Sequence, residues 1–130
     1  MLLKILLTFV LCCATAYADS KPYTEWDTQD KVQLTTYTVL SVMDYKQTSW
    51  ALKQRDEQGN YIYHEANPLL GNRPSDGKLA AAQLLGIGVM YYDIKHNADE
   101  HRKLRWVIIF VKAAVVLHND NIGITFNKAW

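Results

Sequence analysis

Three groupings of polar side chains in this sequence have residue types and spacings suited to chemistry. The first lies in Asp44-Tyr45-Lys46-Gln47-Thr48. Residues three and four apart share a helix face, so Asp44, Gln47 and Thr48 present a carboxylate, an amide and a hydroxyl together. That trio can orient a ligand, a metal or a neighbouring backbone. It is equally what a half-buried carboxylate needs to satisfy itself, since buried polar groups must find partners whether or not they react.

The second grouping is His64-Glu65-Ala66-Asn67-Pro68. A His beside a Glu offers an acid/base or ligand pair, because imidazole titrates near neutrality and burial tunes a carboxyl. It is not the metalloprotease helix, which needs a second His four residues on, where this chain has Pro68. The structural alternative is that Asn67-Pro68 caps a turn and Glu65 accepts bonds from backbone N–H groups. The third grouping is Asp93, His96, Asp99, Glu100 and His101, with His118 and Asn119 further along. These are N and O donors of the kind that bind metals, but His in the last turn of a helix is also ordinary end chemistry. No nucleophile elbow, phosphate loop or EF-hand pattern occurs, and no cofactor is expected.

The location of this chemistry is set by the first 18 of the 130 residues. Met1–Ala18 has a single charge at Lys4, an apolar run from Ile5 to Ala14, and Ala16-Tyr17-Ala18 as a small-x-small site. Together these describe a cleavable export signal. Cys12 and Cys13 follow Leu11 and each other, poor contexts for lipidation, and both leave with the signal. The expected mature chain, 19–130, then forms a single domain. Of the 14 basic residues only Lys4 is lost, so 13 face 13 acidic ones. A thiol-free, net-neutral chain offers no disulfide, no cysteine nucleophile and no basic footprint for nucleic acid.

The positioning elements follow from punctuation and periodicity. Asp27 is a helix N-cap, and no Gly or Pro interrupts the chain from there to about Gln54. Val32, Thr36, Val39, Met43 and Trp50 share one stripe; Leu34, Tyr37, Ser41, Asp44, Thr48 and Leu52 share another. A helix apolar on two sides lies between neighbours or touches a membrane. Arg55–Asn60 is a charged turn, Tyr61–Tyr63 is a short extended piece, and Asn67, Pro68 and Gly71 mark one capped turn. Ser75 or Asp76 caps a second helix, from about Lys78 to His96, whose Ala81, Ala82, Gly86 and Gly88 permit close backbone approach. A third helix runs from about Glu100 to His118, and Ile122–Trp130 alternates as an extended tail. The fold class is therefore all-α, an antiparallel bundle of three long helices with a short capped turn and an extended C-terminal tail.

The membrane signals conflict. Helix three has a run of twelve residues, Trp106–Leu117, apolar except for Lys112, and helix two a run of about fourteen, Leu79–Tyr92, with Gln83 inside. A spanning helix needs roughly 20. Helix one carries Asp44, Lys46 and Gln47 mid-length, and the two connections hold four basic residues each, so no orientation bias exists. Against this, Trp26, Trp50, Tyr61, Tyr63, Tyr91, Tyr92, Trp106 and Trp130 crowd the helix ends, as in interfacial belts.

Three motifs occur in order: Asp44-x-x-Gln47-Thr48, Glu65-x-Asn67-Pro68-x-Leu70-Gly71-x-x-Pro74-Ser75, and His118-Asn119 before Ile122-Gly123-Ile124. In this order they resemble a group of small exported or membrane-associated proteins of unknown function from proteobacteria and their phages. The pairing of the helix and loop motifs is also similar to small multi-helix membrane proteins. The resemblance spans about residues 25–126. It implies that Asp44, Thr48, Glu65, Asn67 and Asn119 converge at one end or midpoint of the bundle, and that the protein associates with a membrane.

The expectation is an exported, non-catalytic envelope protein of the periplasm or inner membrane. It would act by binding an envelope protein or membrane lipid, with lysis or host-envelope roles if a phage encodes it. The rival is a small enzyme using Asp44 and Glu65 with His64 or His118, around a metal in one version. Either way the candidate cluster is Asp44, Gln47, Thr48, His64, Glu65, Asn67, His118 and Asn119.

Overall fold

A computed structural model describes residues 21–97 and 99–124; the segment expected to be an export signal and the last six residues of the chain lie outside the described residues. A 3-10 turn, Tyr23–Glu25, leads into α1 (Thr28–Ala51), followed by α2 (Asp76–Asn97) and α3 (Arg102–Asn121). The fold is an all-α bundle of three helices, as the periodicity predicts.

The helix ends show why these segments start and stop where they do. The Asp27 carboxylate accepts a bond from the Asp30 N–H at 2.9 Å, an N-cap that satisfies one orphan donor. Ser75 Oγ accepts from the Lys78 N–H at 3.2 Å and so caps α2. Asp76 is thereby left to pair with Lys53 at 2.8 Å and to accept from Ser49 at 2.6 Å, which joins the end of α1 to the start of α2. At the end of α3, Gly123 takes φ 89° and the Ile124 N–H bonds back to the Asn119 carbonyl at 2.9 Å. This is a Schellman-type stop, and it buries Ile124. The α3 helix consequently runs three residues past His118, because the stop signal is Gly123 rather than the polar Asn119-Asp120 pair.

Between α1 and α2, the Arg55–Asn60 turn reverses at Gly59, with φ 82° and an antiparallel bridge from Arg55 to Tyr61. The Asn67 turn forms as expected: its carboxamide oxygen accepts from the Leu69 N–H at 3.0 Å, and Gly71 ends it at φ 79°.

Helix α1 is the central element. It packs against both α2 and α3, whereas α2 and α3 make little contact with each other. Of its two sequence stripes, Val32 and Val39 lie on an exposed side, while Ser41 is buried and Tyr37, Asp44 and Thr48 are partly covered. A small apolar cluster of Trp26, Met90, Ile94 and Ile109 ties the three helices together at one end.

Polar side chains take a large share of the interior, beside buried apolar ones such as Leu79, Ile94 and Ile109. Among the described residues, five of the seven largest side chains under 2% exposed are polar: Arg105, Gln33, Gln47, Asp30 and Ser41. By contrast, Leu84, Leu85 and Phe110 are 66–68% exposed. Among the described residues no helix is long and apolar enough to cross a membrane.

Candidate functional site

The helices meet around two polar centres, one toward each end of the bundle. The first is built on Asp44, Gln83 and Lys112, one residue from each helix. Lys112 Nζ lies 2.5 Å from Asp44 Oδ2 and donates to Gln83 Oε1 at 2.8 Å. Gln83 Nε2 in turn donates to Asp44 Oδ2 at 2.9 Å. The three side chains close a ring of mutual hydrogen bonds. Thr48 Oγ1 approaches the other carboxylate oxygen at 3.4 Å, the i to i+4 contact that the spacing predicts.

This ring forms part of the wall of a cavity of about 660 Å³. The loop after α1 supplies Tyr63, His64, Glu65 and Asn67, and the end of α3 supplies His118 and Asn119. Seven of the eight residues nominated from sequence therefore line one cavity. The eighth, Gln47, is buried behind the wall, where it donates to the Val116 carbonyl at 3.3 Å and accepts from Asn119 Nδ2 at 3.4 Å. Its work is to hold α1 to α3 and to orient Asn119.

Glu65 behaves as the structural reading of its turn requires: Oε1 accepts from the Asn67 N–H at 2.8 Å. His64 and His118 are exposed at the rim. Tyr37 stands in the wall with its hydroxyl 2.8 Å from where a Cβ on Gly86 would sit, so that glycine makes room for the ring. Burial pushes the Tyr37 phenol above its ordinary value of 10.0, and the Asp44 charge adds to the rise.

The second centre surrounds Arg105, 1% exposed on α3. Its Nε donates to Gln33 Oε1 at 2.8 Å, one terminal nitrogen to Asp93 Oδ2 at 2.9 Å, and the other lies 3.5 Å from Asp30 Oδ1. His101 Nδ1 lies 2.6 Å from the second Asp93 oxygen, which also accepts from Asn97 at 3.1 Å. Burial acts to raise the Asp93 pKa, but the bonds from His101, Arg105 and Asn97 outweigh it. The net effect holds the carboxyl below its ordinary 3.8.

The third sequence grouping is thereby divided. Asp93 and His101 belong to the Arg105 centre, Asp99 pairs with Arg102 at 3.1 Å, and His96 stacks on Tyr92 with ring centres 4.2 Å apart. His118 and Asn119 stand at the opposite end of α3, thirteen residues from Arg105 to His118, or about 20 Å at 1.5 Å per residue. Among the described residues no group of three His, Cys, Asp or Glu side chains is placed to hold a metal.

Two site residues, Lys112 and Gln83, are absent from the sequence nomination. A signal for both was present: each is the polar residue interrupting an otherwise apolar helical run. A polar group that such a run carries into the interior must find a hydrogen-bond partner there. Asp44, mid-length in the first helix, is the carboxylate available to Lys112. No protein-family model matches the chain, and neither a known curated protein nor a solved structure matches it.

Proposed function

We propose that this is an exported envelope protein that associates with the membrane through the outer faces of α2 and α3 and acts by binding rather than by catalysis. The exposed apolar outer faces of α2 and α3, over an interior with paired polar groups, carry this reading. Paired charged and amide side chains share the interior with a small apolar core, while Leu84, Leu85, Leu104, Val107, Phe110 and Val111 are 55–68% exposed. Monomers in water rarely leave a large apolar patch uncovered. In lipid the arrangement is the natural one, with ionisable groups turned to the bundle interior and paired. The export signal expected in Met1–Ala18 supports an envelope destination.

The occupant of these faces is lipid. A vesicle flotation assay with phosphatidylethanolamine–phosphatidylglycerol liposomes tests this. The protein should rise with the vesicles, and replacing Phe110 and Val111 with Gln should reduce the bound fraction several-fold. A wild-type protein that stays in the dense layer would contradict lipid contact and leave a protein partner as the cover.

The rival reading uses the same cavity, since Asp44 and Glu65 both line it with His64 and His118. Binding is preferred because Asp44 serves as a link between the three helices through Lys112 and Gln83, and Glu65 holds its own turn through the Asn67 N–H.

A further inference from the structure

We infer that the Asp44–Lys112 cavity binds a neutral, hydroxyl-rich molecule, a sugar or the sugar headgroup of a glycolipid. This rests on the reading of the protein as a binder and names the class of ligand. Its size, about 660 Å³, is in the range of small-molecule sites, roughly 300–1,000 Å³.

The charge balance of the wall, with one carboxylate in excess, selects against anions. Three lining side chains carry formal charge: Asp44, Glu65 and Lys112. Asp44 and Lys112 neutralise each other at 2.5 Å, and Glu65 is held by the Asn67 N–H at 2.8 Å. An anionic ligand meets an ammonium that already has its counter-ion, with a second carboxylate close by in the wall. At Glu65 a cationic ligand finds one uncommitted oxygen, Oε2, which the choline probe tests; at Asp44 it must displace Lys112. Breaking such a partly buried pair leaves one charge uncompensated, which is costly.

What remains uncommitted matches hydroxyl groups. The His64 and His118 rings and the Tyr63 hydroxyl have no side-chain partner among the described residues. Asn67 uses its carboxamide oxygen on the Leu69 N–H, so its amide nitrogen is free to donate. Asn119 donates to Gln47, so its oxygen is free to accept. A neutral imidazole, a phenol or an amide offers both a donor and an acceptor. A hydroxyl needs both at once, since it donates one hydrogen and accepts on its lone pairs. The Tyr37 and Tyr63 rings add apolar surface with polar tips, suited to the carbon face of a sugar ring.

The test uses the full chain, purified in an ethoxylate detergent that carries no sugar. Saturation-transfer NMR and calorimetry are run with glucose, N-acetylglucosamine and maltose, and with inorganic phosphate and choline as charged probes. A parallel arm offers vesicles with and without monoglucosyl-diacylglycerol. Saturable binding of a free sugar is expected, or of the glycolipid vesicles alone, in which case the source is a lipid headgroup. Asn67→Ala and His118→Ala, both at the exposed rim, should keep the helical circular dichroism and weaken binding roughly ten-fold, the order of one lost hydrogen bond. Binding of neither sugar nor glycolipid overturns the inference, as does sugar binding unchanged in both variants. Competitive binding of phosphate or choline at the same residues also overturns it. Flotation on vesicles lacking glycolipid reads the outer faces alone, so failure there is separable from failure here.

Discussion

Lys112 Nζ on α3 lies 2.5 Å from Asp44 Oδ2 on α1, and both side chains are mostly covered, at 16% and 13% exposed. This contact joins the end of the bundle where the cavity opens. Its partner Gln83 brings in α2, which otherwise touches α3 little. Removing one member leaves the other charge in a partly apolar site. Lys112→Met should therefore cost about 3 kcal/mol, near the range for breaking a buried pair. The Asp44→Asn/Lys112→Met double variant should cost less than the sum of the two single changes, as read from urea midpoints in a double-mutant cycle. Additive losses would mean that the pair contributes no coupling.

At the opposite end, Arg105 uses its fork on Gln33, Asp93 and Asp30 at once. A lysine can replace the charge but not the planar set of donors. Arg105→Lys and Arg105→Met should both lower stability by about 3 kcal/mol, with lysine recovering little of the loss. Chemical denaturation of the two variants checks this directly.

The Asp93 carboxyl is held below its ordinary 3.8, chiefly by hydrogen bonds that outweigh its burial. A carboxyl with a depressed folded-state pKa contributes stability that is present above the unfolded value and lost as pH falls through the folded one. Stability should therefore fall as pH drops below about 3.8, and Asp93→Asn should flatten that part of the profile. Urea midpoints measured between about pH 5 and pH 2 reveal the slope.

Gly86 lies in the interior of α2, where alanine is ordinarily favoured by about 1 kcal/mol. Here an added Cβ meets the Tyr37 hydroxyl at 2.8 Å, so Gly86→Ala should destabilise. Tyr37→Phe removes that oxygen, and in its background the alanine should lose its penalty or become favourable. Thermal unfolding of the two single variants and the double resolves the sign.

Much of this architecture is legible in the residues. Asp27, Ser75 and Asn67 act as caps because their side chains reach the N–H groups that a helix or turn start leaves open. Gly59, Gly71 and Gly123 reverse or stop the chain at positive φ. The convergence of Asp44, Thr48, Glu65 and Asn67 on one cavity is implied by the resemblance of their motifs, while spacing alone gives only the shared helix face of Asp44 and Thr48. The role of Gln47 was not legible, since spacing places it beside Asp44 but cannot show that it turns to the Val116 carbonyl behind the cavity wall. Nor was the separation of His118 from His101, because residues near in a list of donors can sit at opposite ends of one helix. Lys112 and Gln83 stood out only as interruptions of apolar runs. Their meaning depends on the register of three helices, which local pattern does not determine.

The central proposal, membrane association through the outer faces of α2 and α3, is tested most directly by fractionating cells that express the full chain and washing the membranes with high salt and alkaline carbonate. The expected result is a protein that stays in the membrane pellet through both washes and is released by detergent. Recovery of the whole population in the osmotic-shock fluid, eluting as a compact monomer, would contradict it.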